Sequence, residues 1–260
     1  MNKEAPFEVI FLGTGTCVPS MTRGSPGLAL RVCDDLVLLD GGSGTLRSLL
    51  QAGLDYRDLT HVLYTHTHPD HAADLVPLLT AMKYTPGFTR TEDLSIWGPP
   101  GFREFFEKLS DAYPVSLGAE TYRLQVDEVR ESTIHDQDKW HFTVRFLRHP
   151  TLNAGYRIEV PALERTLVYT GDTENCPELV ELARGADLLI SECSFPDGQG
   201  TKGHLTPSEL APLAEEAGVK RLLLAHIYPA GDREDIVTAC RKFYSGPVEK
   251  AEDFMRVALR

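Results

Sequence analysis

The segment THTHPDH, residues 65–71, places three histidines and an aspartate within six residues. It follows the apolar run HVLY, which predicts a short buried strand. In an extended chain, His66 and His68 share a face because they are two residues apart. Pro69 suits the first turn of a helix, which turns Asp70 and His71 back toward the same place. Zinc accepts imidazole and carboxylate ligands in catalytic sites, so the segment predicts metal binding.

Three other apolar runs also end in a residue that can bind metal. FTVRFLRH ends at His149, LVYTGD ends at Asp172, and RLLLAH ends at His226. Strand ends on one edge of a sheet converge where α/β folds place their ligands. The two oxygens of Asp172 can bridge two ions. The pattern therefore predicts one site at which these residues bind two metal ions.

Composition limits the classes of partner. The 260 residues carry a net charge of −12, which argues against a non-specific grip on nucleic acid. A phosphate substrate stays possible, because two divalent cations would reverse the local charge. The five cysteines are odd in number and widely spaced, which argues against a disulfide framework or a cysteine–zinc site. The chain has no apolar run long enough for a membrane span, and its start does not resemble a signal peptide, so we expect a cytoplasmic protein.

Short strands alternate with helices along the whole chain, which predicts one domain over residues 1–260. Helices are expected over 43–52 with Ser43 as N-cap, over 70–84 with a bend at Pro77, over 99–109, over 207–217 with Thr206 as N-cap, and over 233–244. The runs TYRLQVDEV and WHFTVRFLRH alternate in the manner of antiparallel strands. Two mixed sheets packed face to face with helices outside fit this order, so the expected class is α/β.

THTHPDH resembles the His-x-His-x-Asp-His signature of the metallo-β-lactamase superfamily, and the later strand-end residues follow in that family's order. The resemblance implies a four-layer αββα sandwich with a dinuclear site. It implies that the first metal is held by His66, His68 and His149. It implies that the second is held by Asp70, His71 and His226, with Asp172 bridging the two.

Within that superfamily, the common β-lactamases have a cysteine where Asp172 stands, so antibiotic hydrolysis is disfavoured. FLGTGTCVPSMTRGSPGLALRV, LLDGGSGT, LLISECSF and GHLTPSELAPLAEEAGVKRLLLAHI resemble segments of the ribonuclease Z-like phosphodiesterases. Met21, Ser43, Leu46 and Ser191 depart from that group's pattern. The tRNA-processing members carry a tRNA-clamping arm between the residues equivalent to His149 and Asp172, and the short interval here has no room for it. Whole-tRNA binding is therefore disfavoured, and a small phosphodiester or short nucleic acid is expected.

The resemblance also implies a chemistry. Two divalent ions, Zn²⁺ with Mn²⁺ or iron as alternatives, would activate a water that attacks phosphorus, with Asp70 orienting that water. His204 would donate a proton to the leaving oxygen, with Glu192 as its orienting partner. The same cage can also serve a carboxylic ester, thioester, lactone or aryl sulfate, and a non-hydrolytic metal or redox module is a second alternative. The resembling group is often dimeric, so a homodimer is a further possibility.

Overall fold

The structure is a computed structural model that describes residues 6–114 and 117–260. The chain enters a first sheet through β1 (Phe7–Gly13), β2 (Gly27–Val32), β3 (Asp35–Leu39), β4 (Leu59–Leu63), β5 (Leu94–Gly98) and β6 (Leu124–Glu128). It then builds a second sheet from β7 (His135–Asp136), β8 (His141–Leu147), β9 (Asn153–Val160), β10 (Arg165–Tyr169), β11 (Leu188–Glu192), β12 (Leu222–Ala225) and β13 (Val248–Lys250). The last strand, β14 (Arg256–Ala258), returns to the first sheet.

Each sheet has seven strands and mixes parallel with antiparallel pairs. The orders are β14-β1-β2-β3-β4-β5-β6 and β13-β12-β11-β10-β9-β8-β7. The helices are α1 (Thr45–Gln51), α2 (Pro69–Ala72), α3 (Leu75–Tyr84), α4 (Phe102–Ala112), α5 (Pro177–Ala183), α6 (Pro207–Glu216), α7 (Pro229–Arg233) and α8 (Ile236–Cys240). Short 3₁₀ turns cover Tyr56–Asp58 and Pro161–Leu163.

Strand β1 shows how the layers are built, because its side chains alternate between two apolar clusters. Val9 and Phe11 belong to the cluster that also holds Tyr156 of the second sheet. Ile10 and Leu12 belong to a second cluster on the outer face, with residues of α1 and α3. A third cluster packs α5, α6 and α8 on the outer face of the second sheet. The predicted four-layer αββα sandwich is therefore confirmed.

Several predicted element boundaries were wrong. Helix α1 begins after Gly44, whose φ of 86° favours glycine, rather than at a Ser43 cap. The helix expected over 70–84 is two helices, because Pro77 cannot pair with an earlier carbonyl and so lies in the first turn of α3. The helix expected over 233–244 is shorter in the structure. Arg233 is the last residue of α7, and α8 covers only Ile236–Cys240. The N-cap of α6 at Thr206 is confirmed, and Glu209 completes a capping box with it.

The strand expected in TYRLQVDEV also pairs differently from the prediction. It forms β6, which pairs in parallel with β5 in the first sheet, whereas WHFTVRFLRH supplies β8 in the second. An alternating pattern reports one face of a strand and carries no information about its partner.

One edge of the sandwich collects the carboxyl ends of most central strands. Strands β3 and β4 are parallel, as are β10, β11 and β12. Their ends bring the residues that follow them, including His66, Asp172 and His226, to one place between the sheets. Among the described residues, every helix is too short or too polar to cross a membrane.

Candidate metal centre

Three imidazoles converge at the first half of the centre. His66 Nε2 lies 2.9 Å from His68 Nδ1, and His149 Nε2 lies 3.3 Å from that same nitrogen. The Oδ2 atom of Asp172 lies 3.9 Å from His66 Nε2. These four residues form one of the groups whose ligand atoms all lie within 4.8 Å of one another. Burial is the main reason that the pKa of His66 lies well below its usual value, so this imidazole is in the neutral form that binds metal.

The second half lies against the first and shares Asp172 with it. The Oδ1 atom of Asp172 is 3.3 Å from both His71 Nε2 and His226 Nε2. Asp70 Oδ2 lies 3.4 Å from His226 Nε2. Burial alone would raise the pKa of Asp172, but His226 and His71 hold it well below its ordinary value. All seven predicted ligand residues are therefore brought together at one edge of the sandwich.

Two independent observations indicate that the centre fits divalent metal. His71 Nε2 and Asp172 Oδ1 are buried, and neither has a hydrogen-bond partner among the described residues. The two atoms lie 3.3 Å apart among the ligating groups, and buried polar atoms need a partner. In addition, tetrahedral zinc ligands lie about 3.3 Å apart, close to the spacing of the three imidazole nitrogens of the first half.

A further pair, His204 and Glu192, lies beside the ligands. His204 Nδ1 is 3.1 Å and 3.2 Å from the two Glu192 oxygens and 4.0 Å from Asp172 Oδ2. Burial disfavours the charged imidazole, but Glu192, together with Asp172 and Asp70, raises the pKa of His204. Glu192 is itself held by the Thr173 and Leu205 N–H groups at 2.6 Å and 3.1 Å. His204 and Glu192 are therefore in direct contact beside the centre.

The family model described as "Beta-lactamase superfamily domain" matches residues 36–227, a segment that contains all seven ligand residues. The chain belongs to the metallo-β-lactamase superfamily. Its curated relatives place it in the ribonuclease Z-like branch. The ribonuclease Z of Methanothermobacter thermautotrophicus is 29% identical, with 97% of each chain covered. That of Brevibacillus brevis is 30% identical, with 87% of each chain covered.

Solved structures agree with this placement. A metallo-β-lactamase fold protein of Bacillus subtilis, YhfI, superposes with a TM-score of 0.86 at 26% identity, covering 98% of this chain and 100% of that one. The short form of human tRNase Z superposes with a TM-score of 0.79 at 26% identity, covering 97% and 99%. An unliganded yeast PDE1, at 17% identity and a TM-score of 0.77, shares the fold.

The sequence analysis missed the residues that orient the ligand histidines of this metallo-β-lactamase centre. Each of these histidines makes a hydrogen bond through the ring nitrogen that does not face the other ligands. His71 Nδ1 donates to Asp40 at 2.8 Å, and His149 Nδ1 donates to the Gly203 carbonyl at 2.9 Å. Hydroxyl groups serve the other three, at 3.0 Å or less: Thr65 at His66, Thr151 at His68 and Ser194 at His226. Such outer contacts fix which nitrogen faces the metal.

Asp40 is the most connected of these missed residues. Its fully buried carboxylate also accepts from the Thr65 N–H at 2.8 Å and from the Tyr169 hydroxyl at 2.9 Å. Asp40 has a φ of 56° and His226 a φ of 50°, a conformation that costs roughly 1–3 kcal/mol in a residue other than glycine. Asp40 directly follows β3, so the strand-end rule that found the ligands would also have found this residue.

We expect an Asp40→Ala variant to lose both stability and metal affinity. The change strands the His71, Thr65 and Tyr169 donors, so the free energy of unfolding should fall by roughly 3–5 kcal/mol. Metal affinity should fall by roughly 10- to 100-fold, as for other outer partners of metal ligands. Urea unfolding and competition with a chelator measure the two effects. Asp34→Ala, on the same hairpin but exposed, is the matched control and should change unfolding by less than about 0.5 kcal/mol. Unchanged metal affinity in the Asp40 variant would contradict the positioning role.

Proposed function

We propose that this chain is a dinuclear metal-dependent phosphodiesterase of the ribonuclease Z type, cleaving a small phosphodiester or a short nucleic acid. One observation carries the proposal. Two groups of ligating atoms face each other, and Asp172 lies within 3.3 Å of His71 and His226 on one side while reaching His66 on the other at 3.9 Å. As a ribonuclease Z-like member of its superfamily, the chain is a metal-dependent hydrolase.

We assign the ligands as the resemblance implies. The first ion would be held by His66, His68 and His149. The second ion would be held by Asp70, His71 and His226, and Asp172 would be shared by both. When bound, the ions would supply charge stabilisation at the phosphoryl oxygens and a water acidic enough to attack near neutral pH. Zinc suits this nitrogen- and oxygen-rich set, and manganese or iron would also fit, so metal analysis of the purified protein decides the identity.

The chain's own groups then have separate tasks. The 3.4 Å contact between Asp70 and His226 involves one carboxylate oxygen, Oδ2. The Asp70 carboxylate can therefore also orient the attacking water. His204 lies 4.0 Å from Asp172 Oδ2 and can carry a proton to the leaving oxygen. Glu192 stabilises the protonated imidazole and keeps its ring in place. Asp70 and His204 are therefore the proposed catalytic residues, and Glu192 is a positioning residue.

A substrate panel tests the reaction class. With metal-reconstituted protein we expect turnover of bis-p-nitrophenyl phosphate, and a kcat/KM at least about 10²-fold lower for a lactone, a thioester and an aryl sulfate. Charged groups fixed around a phosphoryl transition state stabilise the charge that develops there, and they match the transition states of acyl and sulfuryl transfer less well. The matched control is the same panel with the chelated protein. Turnover of the lactone alone would replace the proposal with an ester hydrolase. Bound iron without any hydrolysis would replace it with a redox module.

Short RNA is expected to be a better substrate than whole precursor tRNA. The interval between His149 and Asp172 holds only β9, the turn Pro161–Leu163 and β10, which pair within the sheet. The alignment with the M. thermautotrophicus relative runs over 303 positions, 43 more than the 260 residues of this chain. At least 43 positions of that alignment therefore have no residue in this chain. Cleavage of an 8-nucleotide single strand and of a 3′-extended tRNA should be compared at equal concentration. A kcat/KM more than tenfold higher for the tRNA would contradict the absence of a clamp.

Three further predictions concern the domain organisation, the cellular location and the oligomeric state. A single domain over residues 1–260 is supported by the return of β14 to the first sheet, which ties the two ends of the described chain together. A cytoplasmic location and a homodimer stay predictions. Light scattering and cell fractionation would test them.

A further inference from the structure

Two aromatic side chains lie beside the metal centre without belonging to it. Phe195 comes shortly after β11 and Tyr228 shortly after β12, and the Tyr228 N–H donates to the Ser194 carbonyl at 3.2 Å. Their rings stack with centroids 4.5 Å apart and planes at 21°. Neither ring is part of the three apolar clusters found among the described residues. Core packing therefore does not explain why two large apolar rings lie here.

The pair borders the centre on the side of His204. The Tyr228 ring lies edge-on at 5.7 Å from His204 and 5.8 Å from His226, and the Phe195 ring lies 6.0 Å from His204. Both aromatic side chains are half-buried, so part of each ring remains open to solvent. The centre thus has an apolar, planar surface next to the histidine that we assign to the leaving oxygen.

We infer that Phe195 and Tyr228 form a stacking platform for a nucleobase, the base of the nucleoside that leaves on cleavage. The inference rests on the proposed phosphodiesterase activity and adds a substrate class to it. A leaving nucleoside carries its base within one ribose of the oxygen that His204 would protonate. Any nucleobase offers a π-face to such a platform, so the contact would tolerate different base identities.

The charge of the chain makes such a contact useful. A net charge of −12 gives little general attraction for a polyanion. Stacking is neutral and works without basic residues, and one base on one aromatic ring is worth about 5- to 150-fold in affinity. It would favour substrates that carry a nucleoside over simple alkyl phosphodiesters.

The Tyr228 hydroxyl has a separate role, which supplies the control. It lies 3.4 Å from Cys17 Sγ, in the exposed loop that follows β1. This contact ties the Tyr228 ring to that loop. Tyr228→Phe removes the contact and keeps the ring, whereas Tyr228→Ala removes both.

A binding experiment tests the platform without catalysis. The probe is 2-aminopurine riboside 3′-phosphate, a monoester whose fluorescence falls when its base stacks, added to metal-reconstituted protein. We expect saturable quenching with the wild type and an affinity within about twofold for Tyr228→Phe. We expect at least 5-fold weaker binding for Tyr228→Ala and for Phe195→Ala. Equal affinity and equal quenching in all four proteins would overturn the inference.

A cleavage experiment separates this inference from the proposed function. Two dinucleotides are compared, one with a base and one abasic at the leaving nucleoside. We expect the abasic substrate to have a KM at least 5-fold higher in the wild type, and this difference to vanish in Tyr228→Ala. Cleavage of both substrates with equal KM in the wild type would overturn the platform and leave the phosphodiesterase standing. Quenching of the probe without cleavage of either substrate would overturn the phosphodiesterase and leave the base site standing.

Discussion

An Asp172→Ala variant is expected to lose at least one metal ion per chain and to lower kcat/KM on phosphodiesters by roughly 10³-fold or more. Among the described residues, Asp172 is the carboxylate that reaches both ligand groups, with oxygens 3.3 Å from His71 and 3.9 Å from His66. Without Asp172, the five imidazoles of the centre lie close together with no anion shared between the two groups; they are His66, His68, His71, His149 and His226. Metal catalysis contributes several kcal/mol, and about 1.4 kcal/mol is a factor of ten in rate.

The measurement is metal content by mass spectrometry after dialysis, together with steady-state kinetics. Asp187→Ala is the matched control. Asp187 immediately precedes the first residue of β11. It therefore lies at the opposite edge of the sandwich, where it pairs with Lys220 at 2.8 Å. That variant should keep both metals and its activity. Two ions per chain in the folded Asp172→Ala protein would show that Asp172 does not bridge.

Four of the seven ligands, His66, His149, Asp172 and His226, were predictable because each follows shortly after an apolar strand. The other three, His68, Asp70 and His71, lie in the cluster that begins at His66. A strand end is visible in a single sequence, as a buried run such as RLLLAH that stops at His226. The topology then brings these ends to one edge, since β10, β11 and β12 are parallel neighbours. The sequence did not need to reveal the order of the strands for the ligand set to be recognised.

The outer contacts were harder to predict because they join residues that are distant in sequence. Asp40 meets His71 across 31 positions and Tyr169 across 129. Thr151 meets His68 across 83. No local periodicity relates such pairs. Asp40 meets His71 because β3 and β4 are neighbours in the first sheet. The packing of the two sheets brings Tyr169 to Asp40 and Thr151 to His68. The wrong helix boundaries around Pro77 have a local cause instead, because a proline can bend a helix or begin a new one.

Removing His204 is expected to have an effect that depends on the leaving group. With a dinucleotide, whose leaving alkoxide is strongly basic, His204→Ala should lower kcat by roughly 10²- to 10⁴-fold, the usual contribution of a general acid. With bis-p-nitrophenyl phosphate, the leaving phenolate is stable without a proton, so the same variant should lose less than about tenfold. A residue that only supported the fold would lower both rates equally, and kinetics on the two substrates therefore isolate proton donation.

The chain offers a matched control for this substitution. His141 pairs with Glu159 at 3.2 Å, much as His204 pairs with Glu192, but at the start of β8 and away from the metal centre. His141→Ala removes a half-buried histidine–glutamate pair and should leave both rates within about twofold. Equal losses on both substrates in His204→Ala, with two metals still bound, would rule out proton donation by His204. The leaving-group ratio decides this question because only proton transfer depends on the basicity of the departing oxygen.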